Sequence, residues 1–214
     1  MVFVQGGTFR MEGGFFDRAH QVTLSSYYIA KYEVTQGQWK AIMGNNPSKL
    51  AKGDNYPVEN VPWNDMQTFI TRLNTATGKH YRLPTEAEWE FAARGGNQSK
   101  GYKYSGSNNV DSVAWYKKNS GKTTHPVSTK APNELGIYDM SGNVYEWTGD
   151  RYEDFESNDQ TNPHPPFKGG FWGDPVVIRG GSCKNNEKDL RVSHRNQGNQ
   201  TIEILGFRLA CDAE

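Results

Sequence analysis

Helical periodicity is distributed unevenly along this chain, and that asymmetry limits what it can fold into. Three capped helix patterns fall before Gly96, and no convincing one follows. Thr35 and Gln38 have capping-box spacing ahead of a Trp39, Ile42, Met43 stripe that stops at Gly44. Met66, Phe69, Ile70 and Leu73 recur at i, i+3, i+4 and i+7, with Gly78 as the stop. In "YRLPTEAEWEFAARGG", Thr85 and Glu88 form a second capping box, Ala87 to Ala93 are good helix formers, and Gly95-Gly96 end the run. Upstream, "MVFVQGGTFRMEGG" reads as two short strands around a Gly-Gly turn, and "HQVTLSSYYIAKYEVT" alternates as strand. Downstream, the chain reads as turns and short strands, with a polar, Pro-rich loop in "EDFESNDQTNPHPPFKGG". "VVIRGGS" and "LGFRLAC" read as strands flanking a mostly polar stretch with no regular period. There is no internal repeat and no defensible linker. The expectation is a single α+β domain over 1–214, with helices in the first half and turn-rich β structure in the second.

Composition matters here for what builds the core. Hydrophobic residues make up only 35% while aromatics reach 13%, so Trp, Tyr and Phe must fill much of the interior. Their spread along the chain argues against disorder. Lys+Arg and Asp+Glu are equal at 24 each, so no global field draws the chain to nucleic acid or an anionic membrane. No segment approaches about 18 consecutive apolar residues, so no membrane span is expected. The start has no basic leader with a long apolar region.

Local chemistry is sparse. His20, His80, His125, His164 and His194 have no compact metal spacing, and there is no GxSxG or phosphate-cradling loop. The only cysteines, Cys183 and Cys211, are too few for a disulfide framework; paired, buried or reactive states are all open. In "YDMSGNVYEW", Asp139, Asn143 and Glu146 surround a tight turn at Gly142. Such a loop offers oxygens to a hard cation such as Ca²⁺. It equally suits ordinary turn residues that accept from backbone amides.

Taken in order, "GGTFRM", "KYEVTQGQW", "NPS", "PVENVPWNDM", "YRLPTEAEWEFAARGG", "GIYDMSGNVYEW", "RGGS" and "GFRLA" closely resemble the formylglycine-generating-enzyme (sulfatase-modifying factor) domain family over essentially the whole chain. The resemblance implies a C-type-lectin-like α+β fold with much irregular structure. The family's enzymes oxidise a sulfatase cysteine with copper held by two cysteines, at the third and eighth residues after the serine of the "GGS" turn. Those positions are Asn185 and Leu190 here, and an amide and an alkyl group cannot replace thiolates. No copper is therefore expected. Iron-dependent sulfoxide synthases share the domain but take their histidines largely from an additional helical domain, and no such domain is expected here. For the turn at Gly142, the resemblance implies a structural Ca²⁺ bound by the side chains of Asp139 and Glu146 and the carbonyls of Gly142 and Val144.

Another branch resembles the "RGGS"–"GFR" region more closely: variable proteins of diversity-generating retroelements. Adenine-specific mutagenesis of asparagine codons scatters the encoded residues there. Cys183, Asp189, Ser193 and His194, beside Asn185, Asn186, Asn196 and Asn199, fit that pattern. The expectation is a non-catalytic binding protein with a variable-type segment at about 179–208. Its displayed surface lies between Cys183 and Glu203 and also includes Lys188, Gln197 and Gln200. A protein or other surface ligand is its expected partner, with no nucleic acid, and a monomer displayed at the cell surface is the matching context. The alternative is a diverged metal-dependent oxidase.

Overall fold

The three sequence-capped helices form with the predicted caps in a computed structural model that describes residues 1–12, 19–50, 52–155, 158–164, 175–198 and 204–213. In α1 (Gln36–Met43), Gln38 N donates to Thr35 Oγ1 at 3.2 Å, and Thr35 N donates to Gln38 Oε1 at 3.0 Å. Gly44 closes it in the left-handed conformation at φ 77°. The stripe of α2 (Trp63–Thr77) buries Met66, Phe69 and Ile70, and Phe69 stacks on Trp39 of α1 with ring centroids 5.2 Å apart. The Thr85–Glu88 box opens α3 (Glu86–Ala93).

Every residue of α3 is buried, including three glutamates. A carboxylate stays charged in such a place only with a partner. Arg195 grips both oxygens of Glu86 at 2.8–2.9 Å, Arg82 holds Glu88 at 2.7 Å, and Arg179 pairs with Glu90. Arg179 and Arg195 lie on segments remote in sequence, while Arg82 just precedes the helix, so α3 is fastened to the sheets by charge as well as by Trp89 and Phe91.

The first two strands are β1 (Val2–Val4) and β2 (Gly7–Met11). The expected long strand after them is divided. Ser25-Ser26 separates β3 (His20–Leu24) from β4 (Tyr27–Ile29), and the halves join different sheets. Strand β3 lies between β2 and β6 (Gln160–Thr161). Strand β4 lies between β1 and β10 (Ala210–Asp212). The third sheet has the order β8 (Arg195–Gly198), β7 (Val176–Arg179), β5 (Tyr145–Arg151) and β9 (Leu205–Phe207), with β5 parallel to β9 and antiparallel to β7.

The second half holds more regular structure than its pattern predicts. A four-residue helix, α4 (Val110–Val113), is capped by Asn109 and buries both valines. A 3-10 turn at Glu187–Leu190 and strand β8 lie inside the supposedly patternless polar stretch. Single turns and four-residue strands are too short to show a period. Among the described residues, no helix is long and apolar enough to cross a membrane.

Candidate ligand-binding surface

Two tight turns place the segment that follows β7. Gly180 and Gly181 have φ of 91° and 72°, and a Cβ on Gly181 would meet the carbonyl oxygen of Asp189 at 2.8 Å. Gly142, also left-handed, donates its N–H to the Gly180 carbonyl at 2.9 Å, so the two turns pack against each other. Beyond them the backbone is tied down bond by bond. Cys183 N donates to Asn143 O, Lys117 N to Asn185 O, Ser141 Oγ to Leu190 O, Val192 N to Lys103 O, and Arg179 Nη1 to His194 O. An irregular loop with its polar groups so fully spoken for has a fixed path.

The side chains on this path divide into three groups. Asn186, Lys188, Asn196 and Gln197 are exposed, as are their neighbours Lys184, Glu187 and Arg191. Asn185, Asp189, Ser193 and His194 are half-buried. Asn199 and Gln200 lie outside the described residues. Cys183 corrects the expectation: it is fully buried, packed with Val144 and Ile204, and is not displayed. Burial pushes its thiol up to about 12, so it is a packing residue rather than a nucleophile. Cys211 is on β10, in another sheet, and both thiols are free. Leu190 is fully buried, and Asn185 Oδ1 accepts from Ser182 N at 3.1 Å and Ser182 Oγ at 2.5 Å. Asn185 therefore also holds the turn.

Tyr145, which the sequence pattern left unremarked, joins several of these positions. Burial raises its hydroxyl pKa, hydrogen bonds to the Asn196 and Asn185 side chains lower it, and Asp189 is near enough to raise it. It is a nearly buried hydroxyl beneath side chains from two separated parts of the segment. His164 also gains a role the sequence did not announce. Its Nδ1 lies 2.6 Å from Oδ1 of buried Asp150, whose other oxygen accepts from Glu86 N.

At the other turn, Asp139 and Asn143 both take left-handed φ of 59°. Asp139 Oδ2 accepts from Ser128 N at 2.7 Å, and burial raises its carboxyl pKa to about 6. Fully buried Glu146 accepts from Arg208 Nε and Nη2 at 2.6 and 2.7 Å, and from Trp89 Nε1 at 2.8 Å. Glu33, also fully buried, accepts from Asn143 Nδ2 and Val144 N. Its pKa is raised by burial first, then by Asp139 and Glu146. Three buried carboxylates thus influence one another around a single guanidinium. Among the described residues, no three His, Cys, Asp or Glu side chains form a ready-made metal cluster. The calcium donors expected at this turn are instead two side chains and two carbonyls.

The family model for the Sulfatase-modifying factor enzyme 1-like domain matches residues 1–213. The chain belongs to that family. This sulfatase-modifying-factor domain is 38% identical to the Chaperone protein LppX of Paenibacillus barcinonensis, over 80% of this chain and 78% of that protein. It is 34% identical to the Formylglycine-generating enzyme of Mus musculus, over 84% of this chain and 50% of the enzyme. It is 31% identical to the Serine/threonine-protein kinase Pkn1 of Chlamydia trachomatis, matching 100% of this chain but 38% of that protein. The chain thus spans half or less of the last two relatives. Among solved structures, Treponema denticola variable protein 1 superposes with a TM-score of 0.86 at 32% identity, covering 100% of this chain and 95% of that one. The structure of PvdO from Pseudomonas aeruginosa gives 0.79 at 26% identity, covering 99% and 93%. The fold is the C-type-lectin-like arrangement of this family, as the resemblance implied.

Proposed function

We propose that this chain is a non-catalytic ligand-binding protein. The binding face is the exposed and half-buried side chains from Lys184 onward, including Asn185, Asn186, Lys188, Asp189, Ser193, His194, Asn196 and Gln197. Asn199 and Gln200 extend the same segment. The observation that carries the reading is the contrast within one loop. Its backbone and its buried Cys183, Leu190 and Val192 are fixed, while the side chains between them face solvent. A fixed frame with changeable faces is how binding loops vary without losing their scaffold. The likeness to a variable protein supports it. Retroelement diversification is part of the reading, with Cys183 now assigned to the frame. A reverse transcriptase gene and an asparagine-rich near-copy of this segment in neighbouring DNA are the expected finding.

Kinship to formylglycine-generating enzymes keeps a diverged metal-dependent oxidase as the competing reading. The decisive experiment incubates the purified protein and copper with a sulfatase-type cysteine peptide. No aldehyde is expected, and catalytic aldehyde formation would overturn the binding reading.

We also propose a structural Ca²⁺ at the Gly142 turn, held by Asp139 and Glu146 with the carbonyls of Gly142 and Val144. Asp139, Glu146 and Glu33 against Arg208 leave an excess of buried carboxylate, which suits a divalent cation. Calcium at a hundred times its dissociation constant adds about 2.7 kcal/mol. The melting temperature should rise with calcium, fall with chelator, and lose this response in Asp139→Ala. Identical melting with and without chelator would remove the site.

A further inference from the structure

A groove of about 680 Å³ overlaps one edge of the proposed binding face, sharing Asn186 and Lys188 with it. Five cations line it: Lys103, Lys117, Lys118, Lys188 and Arg191. They come from three separate segments and are all exposed. Among the described residues, none of the five is in an ion pair. Arg191 only donates to the Lys188 carbonyl at 3.0 Å. One carboxylate, Glu187, shares the groove and lies 3.4 Å from the Tyr116 hydroxyl.

The groove is built into the fold. Two backbone hydrogen bonds lock its segments together, Lys117 N to Asn185 O at 3.0 Å and Val192 N to Lys103 O at 3.1 Å. Beneath it, Tyr104, Val113, Tyr116 and Leu190 belong to one buried cluster. Like charges held together on a rigid base repel each other, and among the described residues no carboxylate is salt-bridged to them. Their natural complement is a ligand that brings several negative charges.

We propose that this groove binds an acidic segment of a partner protein, rich in Asp and Glu. Five cations from three segments outnumber what one phosphate needs and suit a string of carboxylates. Four of them are ammonium groups, which bind as point charges without the planar fork that favours phosphate. Glu187 can also accept from peptide N–H groups, which a phosphate backbone does not offer. Tyr116 is buried, so no exposed ring in the groove offers a base-stacking platform. The exposed large apolar side chains Met1, Phe3 and Tyr28 are not among the groove's residues, so it has no anchor for a bilayer.

This inference rests on the reading of the chain as a binding protein, and its test separates the two. Fluorescein-labelled decaglutamate is titrated against wild type, Lys117→Glu/Lys118→Glu and Lys188→Glu, with circular dichroism confirming that the variants fold. Saturable binding is expected, weakened about tenfold or more by the double charge reversal and by raising salt from about 50 to 200 mM. A smaller loss is expected in Lys188→Glu, and none in Lys79→Glu, an exposed charge reversal away from the groove. Absence of binding, equal binding by the charge-reversed proteins, or tighter capture of single-stranded DNA or anionic vesicles through the same lysines would overturn it. If no aldehyde forms and decaglutamate still fails to bind, the groove is wrong and the binding reading stands. If an aldehyde forms while decaglutamate binds, the binding reading is wrong and the groove stands.

Discussion

Around α3, Arg179 and Arg195 each meet a buried glutamate, and Arg208 meets Glu146 beside Trp89. Around the groove, Lys117, Lys118 and Lys188 meet no carboxylate at ion-pair distance among the described residues. The same formal charge therefore does two jobs. Inside, where desolvation is expensive, a cation is tolerated only as half of a hydrogen-bonded pair and serves as a crosslink. Outside, water screens each charge, and a lysine can stand without a partner at little cost to the fold. Zero net charge conceals this division, because the carboxylates used up inside are unavailable to neutralise the groove.

The largest effect that tests the contrast is in the interior. Arg208→Ala or Arg179→Ala leaves a glutamate buried without its partner and should lower stability by about 3–5 kcal/mol in chemical denaturation. A loss below about 1 kcal/mol would show that these pairs are not crosslinks. Next comes Asn185→Ala, at the edge between frame and face. It removes acceptors from Ser182 N and Oγ and should cost about 1 kcal/mol, whereas Gln197→Ala, exposed on the edge strand, should stay within about 0.5 kcal/mol. Equal losses would erase the distinction between frame and face. Lys117→Ala/Lys118→Ala should likewise leave stability within about 0.5 kcal/mol, and any small gain should fade with added salt. A large loss would move these lysines into the class of Arg179.

The smallest expected effect is at His194. Burial lowers its pKa, with the nearby Arg179, Arg191 and Lys188 adding to the shift and Asp189 opposing it. The unfolded chain thus takes up a proton at higher pH than the folded one. His194 should not disfavour folding above the ordinary histidine range, and should do so progressively as pH falls through that range. The wild-type melting temperature should drop slightly more between pH 7 and 5 than that of His194→Gln. Parallel melting curves across that range would remove His194 as a contributor.

What the sequence revealed follows the range of the interactions involved. The capping boxes of α1 and α3 join residues three apart, so they were readable and correct. The burial of α3 was not, because "EAEWEFAA" carries three glutamates and looks fit for solvent. Its partners Arg179 and Arg195 lie 89 and 109 positions from the glutamates they bind. Asp139 and Glu146 stood out because they share one turn, while Glu33, which joins them, lies more than a hundred residues upstream. The polar stretch after Ser182 was legible as an unusual segment, but its residues could not be sorted into frame and face. Cys183 follows a turn just as an exposed residue would, and only the hydrogen bond from its N–H to Asn143 O shows why its side chain turns inward. The groove was invisible for a simpler reason: Lys103, Lys117 and Lys188 never form a run.

Strand β4 has one further consequence. Both β1 and β10 pair with it antiparallel, and so run parallel to each other, with Val2 opposite Ile29 and Asp212 opposite Tyr27. Tension applied between residues 1 and 213 would draw β1 backwards from its start and β10 forwards from its end, along the strand axis in opposite directions. The hydrogen bonds on the two flanks of β4 would be loaded together in shear rather than unzipped one at a time. Three short strands thus form a mechanical clasp, resisting a pull through the two ends before the force reaches the binding face.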